Sequence, residues 1–367
     1  MRGRLRRAAR KAKAFARHPL RSIGEVRSRM DKLDIVQFRL RGAIVKHRVQ
    51  HHSGPRAVGG LHAPIVFCLL RNGIPWLASF MAHHRALGFE HFVMLDNGSS
   101  DGTLEAMAAM PDVTVLTTGA PYKAYENTLK RYLVDAYGAG RWCLFVDIDE
   151  QFDYPLRADV PLTRLIAYCE LIDANCLITQ MLDMFADRPM ADLDIRGHSD
   201  LRETFSLYEL AHIRAEPYPF GKAAPVKMHW GGIRKAVFGT DNGLTKVSFF
   251  RNDPDLEPFV HWHHVKRGRF ADLSGVLFHF PFEAGFAEKV REAAASGRYG
   301  YHTTGEYRAY GAQGNIAALR MKSDQARAFT GTDALVEQGF LVVSERYREF
   351  VAGENGVETS ETAGQIL

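Results

Sequence analysis

The sequence predicts an α/β fold in which a mostly parallel central sheet has helices on both faces. From about residue 64 onward, short apolar segments typical of buried strands alternate with segments of helical periodicity. This alternation favours parallel strands, because two parallel strands need a long crossover between them and the crossover is usually a helix. Polar residues follow several of the predicted strands, and in parallel sheets ligands bind at those carboxyl ends.

The predicted strands and helices follow one another in the order that this fold requires. The predicted strands are PIVFCLL (Pro64–Leu70), HFVMLD ending at Asp96, VTVLTT, WCLFVD and ANCLITQMLDMF (Ala174–Phe185). The predicted helices between them are PWLASFMAHHRALG, LEAMAAM and AYENTLKRYLVDAYG. The first helix begins at Pro75 and ends at Gly88, which are residue types that helix termini prefer.

Charge and composition divide the chain into three predicted parts. Residues 1–60 are a basic arm and linker, residues 61–290 are the main domain, and residues 291–367 are a helical C-terminal extension with a disordered acidic tail. The first 50 residues carry a net charge of +13, whereas the rest of the chain sums to −8. Three interpretations of the arm stay open: an anchor on anionic lipid, a nonspecific nucleic-acid contact, or a solvated tail.

Composition excludes several classes of protein. Hydrophobic residues make up 46% of the chain and charged residues 24%, which is typical of globular domains. No apolar segment reaches the about 20 residues that a membrane-spanning helix needs. The basic N-terminus lacks the apolar core of a secretory signal. The four cysteines are scattered without a CxxC pair, which favours buried free thiols in a reducing cytoplasm.

Three acidic residues, Asp147, Asp149 and Glu150, follow the apolar segment WCLFV. Carboxylates beside an apolar core are unfavourable unless a cation neutralises them. Two aspartates at i and i+2 near a strand end can reach one ion, and Mg²⁺ or Mn²⁺ prefers carboxylate oxygens. The sequence therefore predicts a divalent metal site here, with an exposed acidic turn as the bland alternative.

The same residues at these strand ends allow two other interpretations. A dinucleotide site needs GxGxxG after the first strand, whereas LLRNGIPWLASF contains the single glycine Gly73, so we exclude it. A haloacid-dehalogenase-like phosphatase also uses a DxD at a strand end. Its pattern has Thr or Val where this chain has Gln151, and its motif lies on the first strand instead of the fourth. This phosphatase stays as an alternative.

The segment LRNGIPWLASFMAHHRALGFEHFVMLDNGSSDGTLEAM, followed later by RWCLFVDIDEQF, carries a family resemblance. These motifs resemble the bacterial branch of glycosyltransferase family 2, with its RN, HHR, LG, DNGSSDGT and DxDE signatures. The similarity is close from about Ile65 to Phe152, weaker to about Phe286, and absent from both ends of the chain. At Gly73 the chain departs from the family, which has an acidic residue after Arg-Asn, so the role of that carboxylate is in doubt.

The resemblance implies a GT-A type nucleotide-sugar transferase fold, with residues 61–290 as the catalytic domain. It implies that Asp96 recognises the nucleotide base and that Arg71 and Asn72 line the same pocket. The other residues that it implies at the nucleotide-sugar site are Asn97, Ser99, Asn127, Asp147, Gly232 and Arg234.

The resemblance also implies a metal centre, with Mn²⁺ or Mg²⁺ held by Asp147, Asp149 and His279. Asp149 is expected to be the firmer ligand, and His279 to complete the metal shell through its imidazole. An inverting transferase needs a carboxylate general base to deprotonate the acceptor hydroxyl. Asp187 and Asp183 lie in the corresponding part of the chain, and Asp187 is slightly favoured.

These inferences together predict a metal-dependent glycosyltransferase that uses a nucleotide-diphospho-sugar, most simply a UDP-sugar, with inversion at the anomeric carbon. The expected acceptor is a glycan or glycolipid in bacterial surface polysaccharide assembly. The expected location is cytoplasmic or peripheral on the inner face of the plasma membrane, with the basic arm on anionic lipid. No nucleic-acid partner is expected, because the body is net acidic. A catalytically inactive sugar-binding or scaffold protein of the same fold is the remaining alternative.

Overall fold

The structure is a computed structural model that describes residues 41–56, 60, 63–219, 225–261, 264–296 and 301–354. The chain divides into two compact units, residues 1–47 and residues 48–367. In the first unit, residues 41–47 are described and are helical. Residues 1–40 of the predicted basic arm and the predicted acidic tail beyond residue 354 lie outside the described residues. Among the described residues, no helix is both long enough and apolar enough to cross a membrane.

Fifteen strands and nine helices that we label lie in the described part of the second unit. The strands are β1 (Val49–Ser53), β2 (Ile65–Leu70), β3 (His91–Asp96), β4 (Val113–Thr118), β5 (Trp142–Phe145), β6 (Glu150–Asp153), β7 (Cys176–Asp183), β8 (Leu207–Tyr208), β9 (Ile213–Pro217), β10 (Lys227–Gly231), β11 (Thr245–Arg251), β12 (Glu257–His261), β13 (His264–Lys266), β14 (Phe270–His279) and β15 (Arg327–Ala328). The helices are α1 (Ile74–Ala86), α2 (Thr103–Ala108), α3 (Tyr122–Tyr137), α4 (Leu162–Leu171), α5 (Ile233–Phe238), α6 (Phe286–Ser296), α7 (Tyr301–Gly311), α8 (Thr332–Glu337) and α9 (Glu345–Glu354).

Among the described residues, nine strands form one central sheet in the order β1-β4-β3-β2-β5-β11-β7-β14-β6. Strands β2, β3, β4 and β5 are parallel neighbours, as predicted, and β7 and β14 are a second parallel pair. Strands β1, β6 and β11 run antiparallel to their neighbours. The predicted α/β class with a mostly parallel sheet flanked by helices is therefore confirmed, although the sheet is mixed.

The centre of the sheet is covered on both faces, which explains its continuous apolar strands. All six residues of β2 and all six of β3 are buried. A parallel strand buried on both faces has no polar side, so it appears in sequence as an unbroken apolar run. The predicted strand Pro64–Leu70 is accordingly β2, and the predicted strand ending at Asp96 is β3.

The segment Trp142–Pro155 is two strands that lie far apart in the sheet. Strand β5 ends at Phe145 in the middle of the sheet, whereas β6 begins at Glu150 on its far edge, paired antiparallel with β14. Asp147 and Asp149 therefore lie in the connection that crosses the ends of the intervening strands. The sequence predicted the first strand correctly but gave no sign that Glu150 begins a second one.

The adjacent histidines of the HHR motif form hydrogen bonds with the outer edge of β6. His83 Nε2 donates to the Phe152 carbonyl oxygen at 2.6 Å. His84 donates from Nδ1 to the Phe80 carbonyl oxygen at 2.8 Å, so its Nε2 accepts the Phe152 N–H at 3.3 Å. Burial lowers the pKa of both imidazoles, which keeps them neutral for these roles. The two histidines thus provide hydrogen-bond partners for the backbone N–H and carbonyl of Phe152, which would otherwise be buried without partners.

The described residues after 291 include the end of helix α6 and the helices α7, α8 and α9. Helix α6 begins at Phe286, slightly before the predicted boundary of 290. Helix α9 packs on α4, with the Tyr168 and Tyr347 ring centroids 4.8 Å apart. Arg164 also donates to two carbonyl oxygens in the α9 helix, at 3.1 and 3.0 Å.

Candidate active site at the strand ends

Two of the predicted site segments meet at the carboxyl ends of β2 and β3. Leu70 and Asp96, the last residues of these strands, are register partners. The Asn72 N–H donates to Ser99 Oγ at 2.8 Å, and the Ser100 N–H donates back to Asn72 Oδ1 at 2.9 Å. Arg71 Nε donates to the Gly98 carbonyl oxygen at 3.1 Å. The structure therefore brings the predicted residues Arg71, Asn72, Asp96 and Ser99 together.

Asp96 has one carboxylate oxygen engaged and one without a partner. Its Oδ1 accepts the N–H groups of Gly98 at 2.8 Å and Ser99 at 3.0 Å. Its Oδ2 is buried and has no hydrogen-bond partner among the described residues. The whole residue is 2% exposed. A buried acceptor without a donor is unfavourable, so this oxygen is poised to accept a hydrogen bond from a bound molecule.

Asn97 and Ser99 have roles within the turn itself. The Asn97 amide donates to the carbonyl oxygens of Thr118 at 3.1 Å and Ala120 at 2.9 Å, which fastens the end of β3 to the end of β4. The Ser99 hydroxyl accepts the Asn72 N–H. Asn72 itself adopts a φ of 56°, in the left-handed region, to place its groups there.

Asp147 and Glu150 share a buried lysine. Lys246 reaches them from β11, with its Nζ 2.9 Å from Asp147 Oδ2 and 2.5 Å from Glu150 Oε1. The other oxygen of Glu150 accepts the Asp147 N–H at 3.1 Å. Burial opposes the charge on Lys246, but the two carboxylates outweigh it and raise the pKa of the ammonium. Burial raises the pKa of Glu150.

Asp149, His279 and Asp183 form a second cluster beside the first. His279 pairs across the sheet with Glu150 on one side and Asp183 on the other. Its Nδ1 donates to Asp183 Oδ1 at 2.6 Å, and its Nε2 lies 3.7 Å from Asp149 Oδ2. Burial disfavours a charged imidazole, but Asp149 and Asp183 raise the pKa of His279 to about 9.

The second oxygen of Asp183 is also engaged. Asp183 Oδ2 accepts Arg234 Nε at 2.8 Å, and Arg234 Nη1 contacts Glu306 Oε1 at 3.2 Å. Burial opposes ionisation of Asp183, but Arg234 and His279 hold its pKa below its usual range. Arg234 is thus occupied by protein carboxylates, and Gly232 precedes it at the start of α5 with a φ of 71°. Gly232 donates its N–H to the His212 carbonyl oxygen at 3.1 Å.

Helix α6 contributes residues that the sequence did not single out. Lys289 Nζ lies 3.2 Å from Asp149 Oδ2, and Glu292 accepts Arg71 Nη1 at 2.6 Å. Burial opposes ionisation of Asp149, but Lys289 and His279 hold the pKa of that carboxyl well below its usual range. In sequence these α6 residues belong to the charged helix EAGFAEKVREAAASG, whose spacing says nothing about a contact with the DxD segment.

Asp187 and Asn127 take no part in the contacts that join these clusters in the described residues. Asp187 is exposed, and its Oδ1 lies 3.9 Å from Arg320 Nη1. Asn127 is half-buried on α3, one turn before Lys130. Lys130 is buried and pairs with Glu126 at 2.9 Å, and the nearby Asp147 helps to raise its pKa against the effect of burial.

The side chains of these two clusters include groups that could bind a divalent cation. No group of three or more His, Cys, Asp or Glu side chains in the described residues is arranged to hold a metal ion. Asp149 Oδ2 and His279 Nε2 nevertheless face one another at 3.7 Å, and His279 donates its other N–H to a carboxylate, as metal-binding histidines do. Mg²⁺ usually takes one or two carboxylates plus substrate phosphates and water. The residues fit a cation shared with a phosphate-bearing ligand, and they do not form a complete cage.

No protein-family model matches the chain, and no curated protein matches it. Functional inference therefore depends on the geometry of this site and on the motifs quoted above.

Proposed function

We propose that this chain is a metal-dependent glycosyltransferase with a GT-A type fold and a nucleotide-diphospho-sugar donor. The observation that carries the proposal is the facing pair of Asp149 and His279, with the imidazole oriented by Asp183. This pair lies at strand ends, where α/β sheets bind ligands. The donor is most simply a UDP-sugar, the acceptor is a glycan or glycolipid, and the reaction inverts the anomeric carbon.

Asp149 and His279 would hold Mn²⁺ or Mg²⁺, with Asp147 on the nucleotide side. When bound, the cation would act as a Lewis acid that stabilises the departing diphosphate. Asp183 keeps the Nδ1 proton of His279 on the side away from the cation, and Nε2 would become a ligand when the cation displaces the Nε2 proton. Lys246 pairs with both Asp147 and Glu150 and holds the acidic segment in place.

Asp96 would recognise the nucleotide base. Its free Oδ2 is a hydrogen-bond acceptor, which suits an N–H such as that of uracil. Its other oxygen is fixed by two backbone N–H groups, so the carboxylate is held in one orientation. Arg71 and Asn72 support the turn that surrounds it.

Asp187 is the better candidate for the general base. A base must accept a proton from the acceptor hydroxyl, so one of its oxygens has to be accessible. Asp187 is exposed, whereas both oxygens of Asp183 are occupied by His279 and Arg234. We therefore assign Asp183 to positioning of His279 and Asp187 to deprotonation of the acceptor.

The proposed setting is bacterial surface polysaccharide assembly on the cytoplasmic side of the plasma membrane. The support is the net charge of +13 in the first 50 residues, which would attract an anionic membrane surface. Vesicle flotation with and without anionic lipid, on the full chain, tests this part separately.

Calorimetric titration of UDP, with and without Mn²⁺, tests the proposed function. The wild type is compared with Asp149→Asn and with Asp194→Asn, which alters an exposed aspartate paired with Arg196. Binding that needs Mn²⁺ and is lost only in Asp149→Asn supports the proposal.

GDP and other nucleoside diphosphates are titrated in the same way if UDP does not bind. A lack of binding for all of them overturns the proposal. Release of phosphate from an aryl phosphate would then favour the phosphatase alternative, and its absence would favour a non-enzymatic sugar-binding or scaffold role.

A further inference from the structure

We propose that Lys289 is a built-in counter-ion that keeps a divalent cation off Asp149 until a nucleotide diphosphate binds. The ammonium then leaves the carboxylate and pairs with the diphosphate. This inference rests on the proposed function, because it concerns the order in which cation and nucleotide enter that site. It assigns a role to a residue of α6 that the sequence motifs do not include.

The first argument is that Lys289 and the cation need the same oxygen. Lys289 Nζ lies 3.2 Å from Asp149 Oδ2, and that oxygen is the one that faces His279 Nε2. A cation held by Asp149 and His279 would contact this oxygen and would lie within a few ångströms of the ammonium. Two positive charges at such a distance repel one another strongly in a site this buried. Lys289 and the cation therefore exclude each other at Asp149 Oδ2.

The second argument is that Lys289 can move, whereas Lys246 is fixed. The Lys246 side chain is 7% exposed and lies between two carboxylates, Asp147 and Glu150. The Lys289 side chain is 32% exposed, so its ammonium can turn toward solvent without disturbing the core. The Trp76 ring centroid is 5.4 Å from Lys289 Nζ while the ammonium pairs with Asp149, so this cation–π contact belongs to the resting position.

The third argument is that the diphosphate would arrive where Lys289 can reach it. Glu292, one turn further along α6, pairs with Arg71 at the end of β2. The exposed side of α6 thus spans from the DxD segment to the nucleotide end of the site. A diphosphate carries more negative charge than one carboxylate, so it is the stronger partner for Lys289. Its arrival would free Asp149 for the cation.

The consequence is coupling between two ligands through one side chain. The cation alone has to displace Lys289 and binds weakly, whereas the cation with nucleotide meets a carboxylate that the ammonium has left and that faces only His279. Coupling of this kind is reciprocal and typically amounts to about 5–150-fold in affinity. Loss of the ammonium would therefore strengthen binding of the cation alone and weaken its dependence on nucleotide.

The test is a titration of the protein with Mn²⁺ alone and a second titration in the presence of saturating UDP. The electron paramagnetic resonance signal of free Mn²⁺ measures binding in both. Lys289→Met removes the charge, and Lys289→Arg retains it. The matched control is Arg291→Met, which removes an exposed charge of the same helix paired with Glu288. Adding Asp149→Asn to Lys289→Met identifies the site at which any gained Mn²⁺ binds. Circular dichroism establishes that each variant is folded.

In Lys289→Met we expect Mn²⁺ alone to bind at least about fivefold more tightly than in the wild type. This gain should vanish when Asp149→Asn is added, and neither Lys289→Arg nor Arg291→Met should show it. Equal affinity of wild type and Lys289→Met for Mn²⁺ alone overturns the inference. A gain that persists with Asp149→Asn also overturns it.

The proposed function fails by a different observation. If no nucleoside diphosphate binds the wild type at any Mn²⁺ concentration, the donor assignment fails, whatever Lys289→Met does to Mn²⁺ alone. If UDP binds with Mn²⁺ but the wild type takes up Mn²⁺ equally well without UDP, the function stands and the role of Lys289 is overturned.

Discussion

His279 and Asp183 are register partners on adjacent parallel strands, and their side chains are joined by a hydrogen bond of 2.6 Å. This bond fixes which imidazole nitrogen faces Asp149. Arg234 occupies the remaining oxygen of Asp183, so the aspartate is held from both sides. The orientation of the candidate metal ligand is therefore built into the sheet and does not depend on a mobile loop.

Asp183→Asn should lower the free energy of unfolding. The change leaves Arg234, 8% exposed, and His279 without their shared carboxylate, and removal of one partner of a buried ion pair costs about 3 kcal/mol or more. The free energy of unfolding from urea denaturation measures this loss. A variant as stable as the wild type would contradict the positioning role of Asp183.

Asp187→Asn should leave the stability of the protein nearly unchanged but lower its activity. Asp187 is exposed and lies 3.9 Å from Arg320, so the free energy of unfolding should stay within about 0.5 kcal/mol of the wild type. As the proposed general base, its loss should lower kcat for sugar transfer about 10²–10⁴-fold. Transfer kinetics measure this effect, and an unchanged kcat would remove Asp187 from the mechanism.

The metal-free protein should lose stability as the pH rises above neutrality. Asp149 and Asp183 raise the pKa of His279 from 6.5 to about 9, so the native state binds the proton more tightly than the unfolded chain. Stability from this group is full below about pH 6.5 and is lost as the pH rises through about 9. The loss is of the order of 2–4 kcal/mol.

Urea unfolding at several pH values in the presence of a chelator measures this window. His279→Gln should remove the extra loss of stability between pH 6.5 and 9, whereas His198→Gln, at an exposed position, should follow the wild type. Parallel curves for wild type and His279→Gln would show that His279 is not protonated in the native state.

Local sequence pattern predicted the sheet where neighbouring strands are also neighbours along the chain. Strands β2, β3 and β4 follow this rule, and so the sequence could place Asn72 and Asp96 at the same end of the sheet. Strand β11 lies antiparallel between β5 and β7, about 100 residues after β5 along the chain. Hydrophobic periodicity does not indicate which distant strands pair with one another. Lys246 and Lys289 were therefore missed as counter-ions, because their contacts depend on long-range pairing and on helix placement.

Gly73 is explained by its neighbour Ile148, the middle residue of the DxD segment. A Cβ at position 73 would lie 2.9 Å from Ile148 Cγ1 and 3.0 Å from Leu70 Cδ1. In this chain the Ile148 side chain fills the space where a side chain at position 73 would begin. The glycine at this position thus coincides with close packing between the RNG turn and the acidic segment.

Gly73→Ala should therefore destabilise the protein by about 1–3 kcal/mol, because overpacking forces Ile148 and Leu70 to move. Gly119→Ala is the matched control, since a Cβ there would have no neighbour within 4 Å. The control should be as stable as the wild type or more stable by up to about 1 kcal/mol. Equal free energies of unfolding for the two variants would mean that Ile148 adjusts without strain.

His83→Leu should weaken the edge of the sheet that carries the end of the DxDE motif. His83 is the donor to the Phe152 carbonyl oxygen at 2.6 Å, and an unsatisfied buried acceptor costs about 1–3 kcal/mol. His83→Gln, which can still donate, should lose less. Urea unfolding ranks the two variants, and amide hydrogen exchange of residues 150–153 reports whether the loss is local. If His83→Leu and His83→Gln unfold at the same urea concentration, the hydrogen bond is not what holds β6, and packing of the ring against His84 takes its place as the explanation.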